Sequence, residues 1–253
     1  MRIEADATLL VRMIDRDFRS IGEVAMTAKW WRQGGLLGIA FVVVWLVVFI
    51  VRGEVLAYDE PVSKVRAYWQ DHGDRYLIAQ YVVVIAGLTM LIPFMVAFTT
   101  LLGRAEGEPR IWSRVSLIGG LLFVAVALAA SSAWTALAVN VDRLSDDAVV
   151  TLMQLDQGAY QAPPPLFGLF VAAASFVIVR TGAMSRWLGY MGLPIAVGMF
   201  LYPLSLLDAN PNNVFTLLYF LAYLAGQVWL LAGAIFMLRL REVPVLRTRS
   251  LAA

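Results

Sequence analysis

The sequence predicts an all-α polytopic membrane helix bundle with about six transmembrane helices, and three observations support this prediction. Hydrophobic residues make up 60% of the chain and charged residues only 15%, whereas soluble domains are usually about half apolar and about a quarter charged. Six segments approach the length and apolar character of a bilayer-spanning helix, and their cores contain no Asp, Glu, Lys or Arg. Basic residues are concentrated in alternate loops, as membrane topology requires.

Each of the six apolar segments is predicted to cross the membrane once. The fourth is the shortest. The run Pro163-Pro164-Pro165 stands in front of it, and the helix begins either after this run or before it. If it were re-entrant, the last two helices would be inverted and the C-terminal arginines would lie outside, which the charge distribution opposes. The predicted spans are Gly35–Val51, Leu77–Leu102, Val115–Val141, Leu166–Val179, Trp187–Leu207 and Val214–Leu238.

The distribution of basic residues predicts the orientation of the helices. Segments on one side of the membrane hold 15 of the 20 Lys and Arg residues, and segments on the other side hold 5. Loops rich in Lys and Arg stay in the cytoplasm. We therefore expect a multi-pass protein of the plasma (inner) membrane with both termini cytoplasmic. The basic side suits anionic lipid head groups as partners rather than nucleic acid.

Regions outside the spans complete the predicted organisation. Residues 1–33 form a cytoplasmic amphipathic interfacial helix, because apolar residues such as Leu10, Ile14 and Phe18 share one face. Residues 34–240 form the six-helix transmembrane domain, and residues 241–253 form a cytoplasmic tail.

Two short helices are predicted on the outer face of the bundle. Pro61 stands at the first helical position of one of them. Ser145 is the expected N-cap of the other, followed by Asp146 and Asp147 in the first turn. The third outer loop, residues 208–213, is rich in Asn and is predicted to be a tight turn.

Residues that usually carry chemistry are scarce. The chain has no cysteine and one histidine, His72, so thiolate metal sites are excluded and a haem protein is not expected. It contains no phosphate-binding loop, metalloprotease motif or nucleophile elbow. Asp142 and Asp146 are one helical turn apart and could share a cation, but helix capping explains them better. We therefore expect no catalytic, cofactor or metal site, and no enzyme.

Small residues spaced four apart in several predicted spans allow helix backbones to approach closely. Contacts within one chain explain this pattern, and contact with another subunit is the alternative. Gln227 is a further candidate for contact between helices. An amide near the middle of a span needs a hydrogen-bond partner, and we expect a bond to another helix. The candidate helix-packing or partner contacts are Gly34, Gly38, Ala125, Ala129, Ala133, Ala222, Gly226 and Gln227.

The fifth predicted span opens with the segment Arg186-Trp187-Leu188-Gly189-Tyr190-Met191-Gly192-Leu193. This segment resembles a motif of uncharacterised six-span bacterial membrane proteins that are common in actinobacteria. The spacing of the third to sixth helices is also similar, so the resemblance covers about residues 80–240. It implies a six-span bacterial membrane protein, and these families have no assigned activity to carry over.

These observations favour a non-catalytic membrane protein. The first hypothesis is an accessory or scaffolding subunit of a larger membrane complex, such as an envelope lipid-transport assembly, with other membrane protein subunits as partners. The alternative is a small-molecule or lipid transporter or a lipid-binding membrane protein, which requires a cavity in the bundle that opens to the bilayer. An enzyme that uses the outer acids is a third hypothesis, and it requires carboxylates that converge on one groove.

Overall fold

Six long helical stretches form the protein and confirm the predicted all-α polytopic bundle. The structure is a computed structural model that describes residues 28–53, 60–207 and 213–240. These residues contain helices and turns but no strand. Most of the predicted interfacial helix in residues 1–33 lies outside the described residues, and so does the predicted tail at 241–253. The stretches long and apolar enough to cross a membrane are Trp30–Arg52, Val62–Glu106, Ile111–Asn140, Asp146–Thr181, Arg186–Leu207 and Val214–Arg239.

The first two spans are both longer than predicted. α1 is Ala28–Arg52. In the second span, α2, Val62–Ala86, continues through a π-helical turn, Gly87–Leu91, into α3, Ile92–Glu106. These 45 residues are roughly 70 Å long at the α-helical rise, over twice the thickness of the hydrocarbon core. The helix that follows Pro61 is therefore not a separate surface helix, because it is the part of the second span that extends beyond the membrane.

The third span is interrupted about two thirds of the way along its length. α4, Ile111–Ala130, and α5, Ser132–Asn140, are separated by a turn at Ser131. The Ser131 hydroxyl donates to the Leu128 carbonyl oxygen at 2.8 Å, and the Ser132 hydroxyl donates to an alanine carbonyl oxygen at 2.7 Å. Serine hydroxyls that bond back to the preceding turn often bend helices. Two consecutive serines of this kind account for the interruption.

The fourth span consists of α6, Asp146–Ala159, and α7, Pro163–Thr181. The predicted helix N-cap is confirmed, because the Ser145 hydroxyl accepts a hydrogen bond from the Ala148 N–H at 3.3 Å. α7 begins three residues before the predicted start, at Pro163. Proline is well accommodated in a first helical turn, where its missing N–H would have no partner within the helix. The whole stretch is long and apolar enough to cross the membrane, so the re-entrant alternative receives no support.

The fifth and sixth spans complete the bundle. α8, Arg186–Leu201, ends in a 3₁₀ turn, Tyr202–Leu207. α9 is Val214–Arg239, and Asn213 is its N-cap, accepting the Thr216 N–H at 3.0 Å. Apart from Asn213, the predicted tight turn at 208–213 lies outside the described residues.

Helices α1 and α9 lie antiparallel and approach each other at small residues. A Cβ atom added to Gly35 would lie 2.6 Å from the carbonyl oxygen of Ala234. A Cβ atom added to Gly34 would lie 3.0 Å from the terminal methyl carbon of Met237. The start of α1 and the end of α9 are therefore at the same end of the bundle.

At the opposite end, parts of α2, α5 and α6 pack together and form a second apolar cluster, which we call the cap. Arg66 of α2 ties this layer together, because its Nη2 donates to the Leu144 carbonyl oxygen at 2.6 Å and to Asp146 Oδ1 at 2.7 Å. The buried members of the cluster are Val65, Trp69, Tyr76, Trp134, Leu137, Val141, Val149 and Met153.

Charged residues divide between the two ends of the bundle. The end opposite the cap carries an excess of arginines, and the cap end carries most of the described acids. This division agrees with the pattern that predicts orientation, and the assignment of the arginine-rich end to the cytoplasm stays a prediction. The arginines opposite the cap are Arg32, Arg104, Arg110, Arg114, Arg180, Arg186 and Arg239, and the acids of the cap end are Glu60, Asp71, Asp74, Asp142, Asp146, Asp147 and Asp156.

Candidate functional site

A cavity of about 410 Å³ lies inside the bundle next to the cap. All six spans contribute to its wall, from Phe41 in the first to Leu230 in the last. Twelve of its 28 lining residues are aromatic. The wall is therefore mainly apolar, and its aromatic side chains have few rotatable bonds. The volume falls in the range of sites that bind small molecules. The described interior is therefore not solid, and the cavity is the feature around which function can be argued.

Several spans lose regular helix geometry at the level of the cavity. Gly87 and Leu91 of the wall belong to the π-helical turn, and Ser131 is the break in the third span. Tyr160 follows the last residue of α6, and Tyr202 begins the 3₁₀ turn after α8. Within a membrane, irregular backbone is tolerated where it is buried in protein or lines a cavity, and interrupted helices often form binding sites. π-Helical turns are also frequent at functional sites.

The position of Gly87 shows that the wall faces empty space. The residue is buried, yet a Cβ atom added to it would meet no heavy atom within 4 Å. Elsewhere in the bundle, a Cβ atom added to Gly198 would lie 2.6 Å from the Ala222 Cβ. The spans are thus packed closely against one another away from the cavity and separate around it.

One end of the cavity is formed by Arg52, the last residue of α1. Its guanidinium carbon lies 4.7 Å from the ring centre of Tyr76 and 4.7 Å from that of Trp134, both in the wall. Aromatic faces attract a guanidinium, and the Tyr160 side chain lines the cavity beside it. The buried Nε–H of Arg52 has no hydrogen-bond acceptor among the described residues.

The opposite end of the cavity is apolar except for Gln227. Its side chain is 8% exposed, and its Oε1 has no hydrogen-bond partner within the described part of the chain. The expectation that Gln227 bonds to another helix is therefore wrong for Oε1. The physical reason is that the residue faces the cavity, where no neighbouring helix offers a donor.

The cavity is elongated along the bundle. Phe41 and Arg52 both line it, and they are about 16 Å apart along α1 at the α-helical rise. The ring centres of Trp45 and Tyr223 are 5.1 Å apart, which aligns the two antiparallel helices midway along this length.

The cavity also reaches the outer surface of the bundle between α1 and α9. Phe49 of α1 and Phe220 of α9 line it, and they are 48% and 46% exposed. This surface belongs to two of the helices that are long and apolar enough to cross a membrane.

Most of the small residues that the sequence predicts as helix contacts are buried. A Cβ atom added to Gly38 would lie 2.6 Å from the Phe94 ring, and one added to Gly226 would lie 3.0 Å from the Phe167 ring. The buried candidates are Gly34, Gly38, Ala133, Ala222, Gly226 and Gln227.

Ala125 and Ala129 of α4 are the candidates that lie on the exposed surface. The sequence places Ala125, Ala129 and Ala133 on one face of a continuous helix. The turn at Ser131 interrupts that helix, so Ala133 is buried while the other two are exposed. The Ala125 and Ala129 side chains are exposed with respect to the part of the chain that the structure describes. Contact with another subunit stays a prediction for both.

Two of the outer acids, Asp142 and Asp146, have separate side-chain partners. Asp142 accepts a hydrogen bond from the Gln70 side-chain amide at 2.7 Å, and Asp146 pairs with Arg66 at 2.7 Å. Each carboxylate thus has its own partner. No group of three or more His, Cys, Asp or Glu side chains suited to a metal ion occurs among the described residues.

Arg52 is the cavity residue that sequence analysis missed. In the sequence it directly follows the apolar core of the first span and reads as one of the five basic residues on the less basic side of the membrane. Tyr76, Trp134 and Tyr160 are far apart in the sequence, and only the fold brings them to the guanidinium. An arginine immediately after an apolar run is a signal that sequence alone cannot separate from an ordinary interface anchor.

Comparison with known protein families, with curated proteins and with solved structures found no match to this chain.

Proposed function

We propose that this integral membrane protein binds a small, lipid-like amphipathic molecule, which enters the central cavity from the bilayer. The observation that carries the proposal is the cavity, an apolar and largely aromatic space that all six spans enclose and that ends at a guanidinium group. Protein interiors are normally filled to the density of organic crystals. A bundle that served only as a scaffold would have no need of this space.

The chemistry of the wall supports a lipid-like ligand. Empty apolar volume weakens a bundle, because the side chains around it lose contact partners, and the surrounding membrane is rich in apolar chains that can restore them. Arg52 is the charged side chain among the described lining residues. A pathway for ions or protons usually carries ionisable groups within the membrane, so the wall favours an amphiphile over an inorganic ion.

Filling the cavity is expected to displace the ligand. Ala127 lies in the wall, and Ala127→Phe places a ring in the space. Native mass spectrometry of protein extracted gently from its membrane should show wild-type chain carrying one bound amphiphile, with Ala127→Phe mostly free of it. Ala125→Phe is the matched control, because this alanine is on the same helix but exposed outside the cavity, and it should carry as much ligand as wild type.

Two results would contradict this proposal. One is a wild-type protein that carries no amphiphile at any detergent concentration that preserves its fold. The other is equal occupancy in Ala127→Phe and wild type, which would place the bound molecule on the outer surface.

The role of an accessory subunit in a larger assembly remains the second candidate, and the exposed pair Ala125 and Ala129 favours it. Small side chains on a lipid-facing surface permit close approach of a further helix. In this case Ala125→Phe would abolish co-purification of a stoichiometric partner while Ala127→Phe would leave it intact. The same two variants thus separate ligand binding from assembly.

A further inference from the structure

We propose that the ligand is a single-chain amphiphile with an anionic oxygen head group, and that Arg52 binds this head while the chain lies along the cavity. This inference rests on the proposed function and specifies the ligand class of the same site. It depends on three observations: the arrangement of the guanidinium, the charges around it and the shape of the space.

The guanidinium is positioned before any ligand binds. The centres of the Tyr76 and Trp134 rings each lie 4.7 Å from its carbon and hold it between two aromatic side chains. A planar guanidinium fixed in this way presents N–H groups in the geometry that carboxylates and phosphates accept. The buried Nε–H still lacks an acceptor among the described residues.

The described residues contain no ion pair of Arg52, and the ion pairs among them are those of Lys64, Arg66 and Arg110. The buried carboxylate of Asp156 lies near the Tyr76 ring that the guanidinium contacts, but it does not pair with Arg52. Aromatic faces compensate only in part for the cost of removing a cation from water. An anionic head group would complete the site.

The other end of the cavity offers no cation to an anionic head. Its unpartnered polar atom is the side-chain carbonyl oxygen of Gln227, which carries negative partial charge. Phe41, Leu91 and Leu230 line the same region and suit a hydrocarbon chain. The polarity of the wall therefore sets the direction of the ligand, with its head toward the cap.

The dimensions favour one chain over two. The cavity extends about 16 Å along α1 at the α-helical rise, and its volume is about 410 Å³. This volume is in the lower half of the range for sites that enclose drug-sized molecules. A long, narrow space of this size accommodates one extended chain.

Equilibrium binding to purified, delipidated wild-type protein tests the inference with three probes of equal chain length. Dodecanoate and dodecyl phosphate carry anionic heads, and dodecanol carries a neutral one. We expect at least one anionic probe to bind about tenfold or more tightly than dodecanol, since a charged hydrogen bond typically contributes this much. Arg52→Gln should reduce the preference to about twofold or less, with dodecanol affinity unchanged.

Arg143→Gln is the matched control, because it removes an exposed charge at the same end of the bundle and Arg143 does not line the cavity. It should keep the full preference for anions. If Arg52→Gln no longer binds dodecanol, Arg52→Lys replaces it as the test variant. An ammonium group cannot match the two-point geometry of a guanidinium, so anion affinity should fall a few-fold.

The outcomes separate this inference from the proposed function. Equal affinity of wild type for all three probes overturns the anionic head, and so does an undiminished preference in Arg52→Gln or undiminished anion affinity in Arg52→Lys. These results leave a neutral ligand in place. If none of the probes binds to wild type, the proposed function fails as well.

Discussion

Replacing Trp229 with alanine is expected to destabilise the bundle by about 3 kcal/mol or more, the usual cost of removing a buried tryptophan side chain. Trp229 is completely buried, and its ring lies 5.5 Å from Phe98 and 5.9 Å from Phe170, measured between ring centres. Between helices in lipid, contact of this kind is a main source of association energy. Unfolding in mixed micelles, followed by circular dichroism, measures the change.

Two further variants identify the source of this loss. Trp229→Phe keeps most of the ring but removes the Nε1–H that donates to the Leu188 carbonyl oxygen at 2.8 Å, so a loss of about 1 kcal/mol is expected. Trp187→Ala removes the same side chain from an exposed position and should have little effect. Equal destabilisation by Trp229→Ala and Trp187→Ala would contradict the helix packing described for the bundle.

Adding one methyl group to Gly192 is expected to destabilise the bundle by about 1–3 kcal/mol through overpacking. The new Cβ would overlap the Ser175 hydroxyl oxygen and would lie 3.0 Å from Trp229 Nε1. Ser175 is fully buried where α7 meets α8, so it has no free space to move into. The same unfolding measurement applies.

Gly158→Ala is the control for this prediction. Gly158 is helical and exposed, and a Cβ atom there would meet no heavy atom within 4 Å. Because alanine is the better helix former, this variant should be as stable as wild type or slightly more stable. Equal stability of Gly192→Ala and wild type would show that α7 and α8 are further apart than described.

Hydropathy and length were sufficient to predict the six spans, because a bilayer imposes a strict requirement on each of them. They could not show that the helix after Pro61 joins the second span, since the polar residues between Val62 and Tyr76 read equally well as a surface helix. The turn at Ser131 was also hidden, because apolar residues flank it on both sides. These two features decide where the helices separate.

The cavity itself could not be predicted from the sequence. Its wall combines residues from all six spans, and an aromatic residue in a span looks the same whether it faces lipid, another helix or empty space. Sequence analysis did single out Gln227 as an amide in need of a partner. What it missed was the absence of a donor near Oε1, which depends on the separation of neighbouring helices.

A density map of the protein determined in native lipid would test the central claim most directly. The account predicts continuous, chain-like density inside the bundle, with its wider end against the Arg52 guanidinium and its narrow end near Leu91 and Gln227. Density confined to the outer surface, with side chains closing the space between α1 and α9, would contradict it.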